Sequence, residues 1–100
     1  MGLYLQSATP RDILARMLRN LKDLHRAQGD GSRLLAVQER LVILLPEHLP
    51  ERRDRGLAHA DLGNTREAVA DLEHYCTHTD DALDRELMQQ RLTALRREMS

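Results

Sequence analysis

The stretches RAQGDGSRLL (residues 26–35) and ADLGNTREAV (residues 60–69) carry the same punctuation twice in a chain of 100 residues. In each stretch a segment of helical pattern stops at a glycine, Gly29 or Gly63, and an aspartate or asparagine follows before the next helical segment begins. Glycine readily takes the left-handed conformation that ends many helices. The positions of the two glycines, 29 and 63, differ by 34, and this spacing indicates two successive helical hairpins of the same kind.

Other residues of similar character recur at the same spacing. The equivalent pairs are Leu35 and Val69, Leu41 and Tyr75, Val42 and Cys76, His25 and His59, and Arg19 and Arg53. The repeat is incomplete, since Lys22 stands where the second unit has Gly56. A helix–turn–helix unit of this period is typical of tetratricopeptide repeats, which this chain resembles. Such hairpins bury their apolar faces only by stacking on one another, so the sequence predicts an all-α stack.

Capping residues and apolar spacing predict five helices, arranged as two hairpins and a capping helix. The predicted helices cover residues 10–27, 33–45, 50–62, 65–78 and 82–98 of a helical domain at residues 9–100, after an N-terminal arm at residues 1–8. The predicted N-caps are Thr9, Ser32 and the pair Asp80 and Asp81, and Asn64 with Glu67 resembles a capping box.

Three of the predicted helices have distinctive faces. The first combines an apolar stripe, formed by Ile13, Leu14, Met17, Leu18, Leu21 and Leu24, with a basic face, formed by Arg11, Arg19, Lys22 and Arg26. The fifth has an apolar stripe of its own, formed by Leu83, Leu87, Leu92, Leu95 and Met99, with Met88 alongside. The second helix is apolar on most sides, so we expect it to be the most buried. Because two hairpins are close to the minimum for a stable stack, we expect the start of the chain to leave apolar surface for a missing domain or a second copy.

Composition excludes several classes of function. Net charge is −1, with no Phe or Trp and only two Tyr, which argues against a nucleic-acid-binding surface. The single cysteine allows no intrachain disulfide, and no apolar run is long enough to span a membrane. We find no signal peptide, and the simplest expectation is a cytoplasmic protein, or a piece of one, without a cofactor.

The segment HYCTH (residues 74–78) is the one that most resembles a metal or catalytic site. His74 and His78 share one helical face, but Cys76 points away from both, and a structural zinc site needs four ligands. Cys76 lies on the predicted inner face, where a thiol is inert. We therefore predict no metal site and no catalytic residue here, and we interpret His25 and His59 as half-buried, hydrogen-bonded spacers.

A row of arginines is the better candidate for a binding site. Arg16, Arg19 and Arg26 lie on the first helix, and Arg53 occupies on the third helix the position of Arg19. On the concave side of a helical stack, their guanidinium groups are suited to carboxylates of a peptide. The alternative is a solvated charged face that acidic neighbours balance, namely Asp12, Asp23, Asp54 and Asp61.

The stretch SATPRDILARMLRNLK (residues 7–22) has a more specific resemblance. It is similar to the start of the tetratricopeptide region in the Sir B-type bacterial proteins, and the resemblance extends to about residue 78 through RLLAVQERLVILLP and ERRDRGLAHADLGN. In that family a transglutaminase-like, protease-like domain precedes the repeats, and no residues here match it. The resemblance therefore implies a tail that is encoded apart from such a domain or has been separated from it.

These observations predict a non-catalytic protein–protein interaction module. It would bind a peptide or a neighbouring domain in the groove of its first, third and fifth helices, and a homodimer is one expected assembly. The alternative is an accessory brace for the transglutaminase-like domain of the same protein. A transcription-associated regulator, which the family label suggests, is disfavoured by the charge and by the lack of aromatic residues.

Overall fold

The computed structural model describes residues 8–100, which form five helices and no strand. They are α1 (Pro10–Ala27), α2 (Gly31–Leu44), α3 (Leu49–Asp61), α4 (Thr65–His78) and α5 (Ala82–Met99). Each helix packs on the next, so α1–α2 and α3–α4 are hairpins and α5 covers the second. The predicted all-α stack is confirmed. The predicted arm at residues 1–8 lies outside the described residues except for Ala8.

The turns of the two hairpins are alike in detail. Gly29 and Gly63 have φ of 67° and 80°, the left-handed region that glycine adopts without a steric cost. In each turn the next residue donates a backbone hydrogen bond five residues back: Asp30 N to His25 O at 3.0 Å, and Asn64 N to His59 O at 2.9 Å. These are Schellman motifs, which satisfy the last carbonyl groups of α1 and α3.

The start of α2 differs from the prediction. Its N-cap is Asp30 rather than Ser32, because Asp30 Oδ1 accepts a hydrogen bond from Arg33 N at 3.1 Å. The helix therefore begins at Gly31, immediately after the turn. A Cβ atom on Gly31 would lie 3.0 Å from Leu62, a residue of the second turn, so the two turns contact each other.

Of the other predicted N-caps, those of α1 and α5 form as expected and that of α4 does not. Thr9 caps α1 and Asp81 caps α5, each accepting a bond from the backbone of the third residue on. Asn64 is the N-cap of α4, but its side chain makes no capping bond, and the predicted capping box with Glu67 does not form. Its amide nitrogen instead lies 3.2 Å from Nδ1 of His59, inside the turn.

The apolar stripe of α1 is mostly exposed, contrary to the simplest expectation for an amphipathic helix. The inner face of α1 consists of Ala15, Leu18 and Lys22, so Leu18 is the only member of the six-residue stripe that is buried. Since α2 and α3 both lie on this inner side, the rest of the stripe is left towards solvent. Within the described residues, α1 therefore exposes apolar surface as expected, and its cover by a missing domain or a second copy stays a prediction.

The most buried helix is α4, and the prediction that it would be the second helix is wrong. Six residues of α4 are buried, against four of α2. Both helices have two neighbours, but α4 lies in the larger apolar cluster together with α3 and α5, whereas α2 shares a smaller cluster with α1. The outer side of α2 has no neighbour among the described residues, and Ile43 there is 77% exposed.

The predicted stripe of α5 divides in two. Leu92 and Leu95 are buried, and Met88 packs beside them, while Leu83 and Leu87 are exposed. At 100° per residue, Leu83 and Leu87 lie well over a quarter turn from Leu92, so a single contact with α4 cannot cover both groups.

Two separate apolar clusters form the core. One lies between α1 and α2 around Leu41, and the other lies among α3, α4 and α5 around Leu72. Gly56 lets α3 approach α4 closely, since a Cβ atom there would lie 3.0 Å from Asp71 Cβ. Besides the contact between the two turns, a layer of charged side chains joins the first hairpin to the second.

Candidate functional site

A buried carboxylate on α3 connects the two hairpins. Glu51 is 3% exposed and receives hydrogen bonds from Lys22 Nζ at 2.9 Å and Arg19 Nε at 2.8 Å, both on α1. Gln38 on α2 donates to Glu51 Oε1 at 2.8 Å and to the backbone oxygen of Glu51 at 2.9 Å. One acid of the second hairpin therefore contacts both helices of the first.

The charges around Glu51 are closely balanced. Lys22, which is also buried, makes a second ion pair with Asp54 Oδ2 at 2.6 Å. Burial alone would raise the pKa of Glu51, but hydrogen bonds from Gln38, Lys22 and Arg19 outweigh it and lower this pKa to about 2. Glu51 is therefore ionised at neutral pH, and its charge is compensated within the layer.

A second ionic contact joins α3 to α5. Arg53 Nη1 donates to Asp84 Oδ2 at 2.9 Å, and Arg53 Nε donates to Asp54 at 3.0 Å. Tyr75 of α4 donates its hydroxyl to the same oxygen of Asp84, and the Arg53 guanidinium lies 5.6 Å from the centre of the Tyr75 ring. The hydrogen bond from Tyr75 lowers the pKa of Asp84, and the Arg53 contact acts in the same direction.

A third buried acid fixes α3 on α4. Asp71 is 3% exposed and accepts two hydrogen bonds from Arg55, at 2.7 Å and 2.6 Å. Arg52 approaches the same carboxylate at 3.4 Å. This bidentate geometry is specific to arginine, and the hydrogen bonds to Asp71 raise the pKa of Arg55.

The four arginines of the predicted groove lie in three different settings. Arg16 and Arg19 line one surface pocket of about 430 Å³, together with His48, Asn20 and three further residues. Arg26 lines a different pocket of about 280 Å³ beside Asp54 and Asp61.

Arg53 is held between two carboxylates and Tyr75. Of the acids in the alternative interpretation, Asp54 contacts an arginine of the set, Asp23 lies 3.9 Å from Arg26, and Asp12 lines the same pocket as Arg16 and Arg19. Arg16 and Arg19 are thus the only two of the four that share this pocket.

Sequence reasoning missed the residues at the centre of the charged layer. It assigned Lys22 to an exposed basic face and singled out neither Glu51 nor Gln38. A signal was present in the spacing, because Glu51 and Asp84 are each the third residue of a helix that follows a completed hairpin. The arginines at equivalent repeat positions on the preceding helices, Arg19 and Arg53, are therefore placed to contact them.

The other candidates of the sequence take ordinary positions. His74 and His78 stack with ring centres 4.3 Å apart, and Cys76 is buried, with burial raising the pKa of its thiol. Within residues 8–100 no three His, Cys, Asp or Glu side chains are grouped so as to hold a metal ion. None of the described helices is long and apolar enough to cross a membrane.

The two repeat histidines differ in their partners. Nδ1 of His59 lies 3.2 Å from the Asn64 amide. Nδ1 of His25 is buried and has no hydrogen-bond partner among the described residues. Asp30, which is the repeat equivalent of Asn64, caps α2 instead. The predicted hydrogen-bonded spacer therefore describes the side chain of His59 but not that of His25.

Comparison with known proteins supports the repeat interpretation. The family model described as "Tetratricopeptide repeat" matches residues 21–93. A UPF0162 protein of Xylella fastidiosa (strain Temecula1) is 37% identical over 71 residues, which are 71% of this chain and 25% of that protein. A UPF0162 protein of Pseudomonas aeruginosa is 32% identical over 92 residues, which are 92% of this chain and 34% of that protein.

The chain thus spans about a quarter to a third of the length of these curated relatives. Their names mention no transglutaminase-like domain, so the resemblance to the Sir B-type proteins stays an expectation. No solved structure matches the chain.

Proposed function

Since this chain belongs to the tetratricopeptide-repeat family, we propose that it is a non-catalytic protein–protein interaction module. Its ligand is an acidic peptide segment or a carboxylate on a neighbouring domain, which enters the predicted groove of α1, α3 and α5 at a pocket between α1 and the α2–α3 loop. The observation that carries this proposal is the pocket of about 430 Å³ in which Arg16 and Arg19 lie together.

The two arginines have different parts in this proposal. Arg19 is already oriented by its hydrogen bond to Glu51 at 2.8 Å, so little side-chain entropy is lost when a ligand arrives. Arg16 is exposed and supplies charge that attracts an acidic partner and makes binding sensitive to salt. Ala15 and Leu45 in the same pocket offer apolar contact beside the charges.

The remaining groove residues have supporting parts. Arg53 fixes the position of α5 through Asp84 and so maintains the shape of the groove. Arg26 lies in another pocket and would contact only a longer ligand. Reversing the charge of Arg19 and Arg53 together is a poor test, because the new glutamates would face Glu51 and Asp84 and would unfold the stack.

A sharper test changes Arg16 alone. The probe is a fluorescein-labelled oligoglutamate peptide with a free carboxyl end, and binding is followed by fluorescence anisotropy at several salt concentrations. We expect Arg16→Glu to weaken binding about tenfold, or about 1.4 kcal/mol. The matched control is Arg97→Glu, an exposed arginine on α5 outside the pocket, which should leave the affinity unchanged. Equal effects of the two variants, or no binding by the unaltered chain at low salt, would refute the pocket.

A second candidate function is that of a brace for another domain, and one observation favours it. Most of the apolar stripe of α1 is exposed, and the curated relatives are three to four times longer than their matched segments. The Sir B-type resemblance implies that this domain is transglutaminase-like. In the longer polypeptide its contact would protect α1 from hydrogen exchange. Equal exchange of α1 in the longer and the shorter protein would exclude the brace.

We also propose a cytoplasmic location, which the single buried cysteine suits because it has no partner for an intrachain disulfide. Fractionation of a cell that expresses a tagged chain would test this location.

A further inference from the structure

One face of the first hairpin exposes an unusual concentration of large apolar side chains. We call it the α1–α2 face and define it by Ile13, Leu14, Met17, Leu21, Leu24 and Ile43. Their exposure ranges from 41% for Leu21 to 77% for Ile43. Contiguous apolar surface of this kind marks an interaction site more often than a free surface.

The α1–α2 face contains a ridge and a groove side by side. The ridge is the exposed stripe of α1, with Met17 and Leu21 at its centre. The groove, of about 410 Å³, lies between the helices and is lined by Leu14, Leu18, Arg40, Ile43 and Leu44. Because a ridge and a groove of matching chemistry adjoin on one molecule, a two-fold axis can place each ridge in the other molecule's groove.

The repeat register identifies this face as a stacking face. Met17, Leu21 and Leu24 are equivalent, one repeat further along the chain, to Glu51, Arg55 and Ala58 of α3. In α3, Glu51 and Ala58 are buried on the side of the first hairpin, whereas Arg55 is half-buried and contacts Asp71 of α4 within its own hairpin. The equivalent positions of α1 carry large apolar side chains and have no cover among the described residues.

Charge favours another apolar face as the occupant. None of the six residues of the α1–α2 face is charged, and the groove has a single ionisable residue, Arg40. A charged peptide would gain nothing here, whereas an identical face offers apolar side chains at every position. We propose that the α1–α2 face binds the same face of a second copy of this chain about a two-fold axis. This proposal is independent of the peptide pocket, which lies elsewhere on α1, and it is an alternative to the brace, which would cover the same stripe of α1.

The size of the face sets the expected strength. The largest apolar patch on a monomer is typically about 300–600 Å² and is often functional. A standard interface buries roughly 800 Å² per partner. The six partly exposed side chains form a patch of the typical size and not a standard interface. We therefore expect a dimer that dissociates on dilution.

Sedimentation velocity of the full chain over a range of concentrations tests this inference. The unaltered chain should shift from monomer to dimer as concentration rises, without larger species. Met17→Lys should stay monomeric, because the ridge of one copy enters the groove of the other and brings this charge against Arg40. The matched control is Leu87→Lys, an equally exposed position (57% against 58% for Met17) on α5 at the other end of the stack, and it should still dimerise.

A mixing experiment separates a two-fold dimer from other assemblies. Met17→Lys should be monomeric alone and should form a heterodimer when it is mixed with Arg40→Glu, because the ridge of each copy lies in the groove of the other and the two exchanged charges then meet. Circular dichroism checks that each variant keeps its helices. A monomeric unaltered chain at high concentration, loss of association in Leu87→Lys, open-ended growth, or no heterodimer on mixing would each overturn the proposal.

Discussion

Arg53 on α3 repeats the contact that Arg19 makes on α1. Arg19 Nε lies 2.8 Å from Glu51, and Arg53 Nη1 lies 2.9 Å from Asp84. Each acid is the third residue of the next stacking helix, where the positive end of the helix dipole also favours a carboxylate. The period of the sequence therefore repeats an ionic contact between units as well as a turn.

The first prediction concerns the two ends of the Arg19–Glu51 contact. Glu51→Gln should lower the free energy of unfolding by about 3 kcal/mol, because it removes the buried acid that Lys22 and Arg19 share. Arg19→Gln should cost at most about 1 kcal/mol, since its side chain is 44% exposed and water can replace it. Urea unfolding followed by circular dichroism measures both values, and similar losses would contradict a buried charged layer.

The second prediction is a pH dependence that comes from Glu51. Its pKa is lowered in the folded chain to about 2, against an ordinary value of 4.5. A lowered pKa contributes stability that is present above pH 4.5 and is lost as the pH falls towards 2. The loss should be on the order of 3 kcal/mol. Asp84, whose pKa is also lowered, acts in the same direction.

The control for this pH dependence is Glu51→Gln, which cannot titrate. Between pH 5 and pH 3, the unfolding free energy of this variant should change less than that of the unaltered chain. Over the whole range from pH 4.5 to about pH 2, the difference should be on the order of 3 kcal/mol. Parallel profiles for the two proteins would assign the acid sensitivity to other carboxylates.

Local signals in the sequence predicted the helices and turns of the fold. The features that the sequence analysis missed depend on packing between helices that are distant in the chain. The turns at Gly29 and Gly63 depend on residues within a few positions of each glycine, so they could be read directly. Which side of α1 is inner depends on where α2 and α3 lie, and no property of α1 alone specifies this. Lys22 therefore looked like part of a basic surface, although Glu51 and Asp54 pair with it in the interior.

The candidate site could be predicted from the sequence only in part, for the same reason. The equivalence of Arg19 and Arg53 could be read from the spacing, but Arg16 and Arg19 share a pocket because the loop carrying Leu45 and His48 lies beside α1. Contacts between distant segments of this kind leave no periodic pattern in a single sequence.

The third prediction compares three glycines with different physical requirements. Gly29→Ala and Gly63→Ala should each cost about 1 kcal/mol, because alanine is strained at positive φ although nothing else lies within 4 Å. Gly56→Ala should cost about 1–3 kcal/mol for a different reason, namely contact with Asp71 and Leu72 at 3.0–3.1 Å. In an open helix that change would be stabilising by up to about 1 kcal/mol, so its sign reports the close approach of α3 and α4. Thermal unfolding of the three variants gives the comparison, and a more stable Gly56→Ala would show that the helices can move apart at little cost.

The fourth prediction concerns Cys76, the only thiol of the chain. It is buried, its Sγ lies 3.8 Å from the backbone oxygen of Arg85, and burial raises the pKa of the thiol. Reaction with an aromatic disulfide reagent at pH 8 should therefore be slow and limited by opening of the α4–α5 contact. In urea above the unfolding transition the same thiol should react at the rate of a free cysteine.

Leu92→Ala, which removes a buried neighbour on α5, should accelerate the native reaction by weakening that contact, whereas the exposed change Leu83→Ala should not. Fast labelling of the folded chain would instead indicate an accessible, activated thiol, and with it a chemical role that a purely protein-binding module does not need.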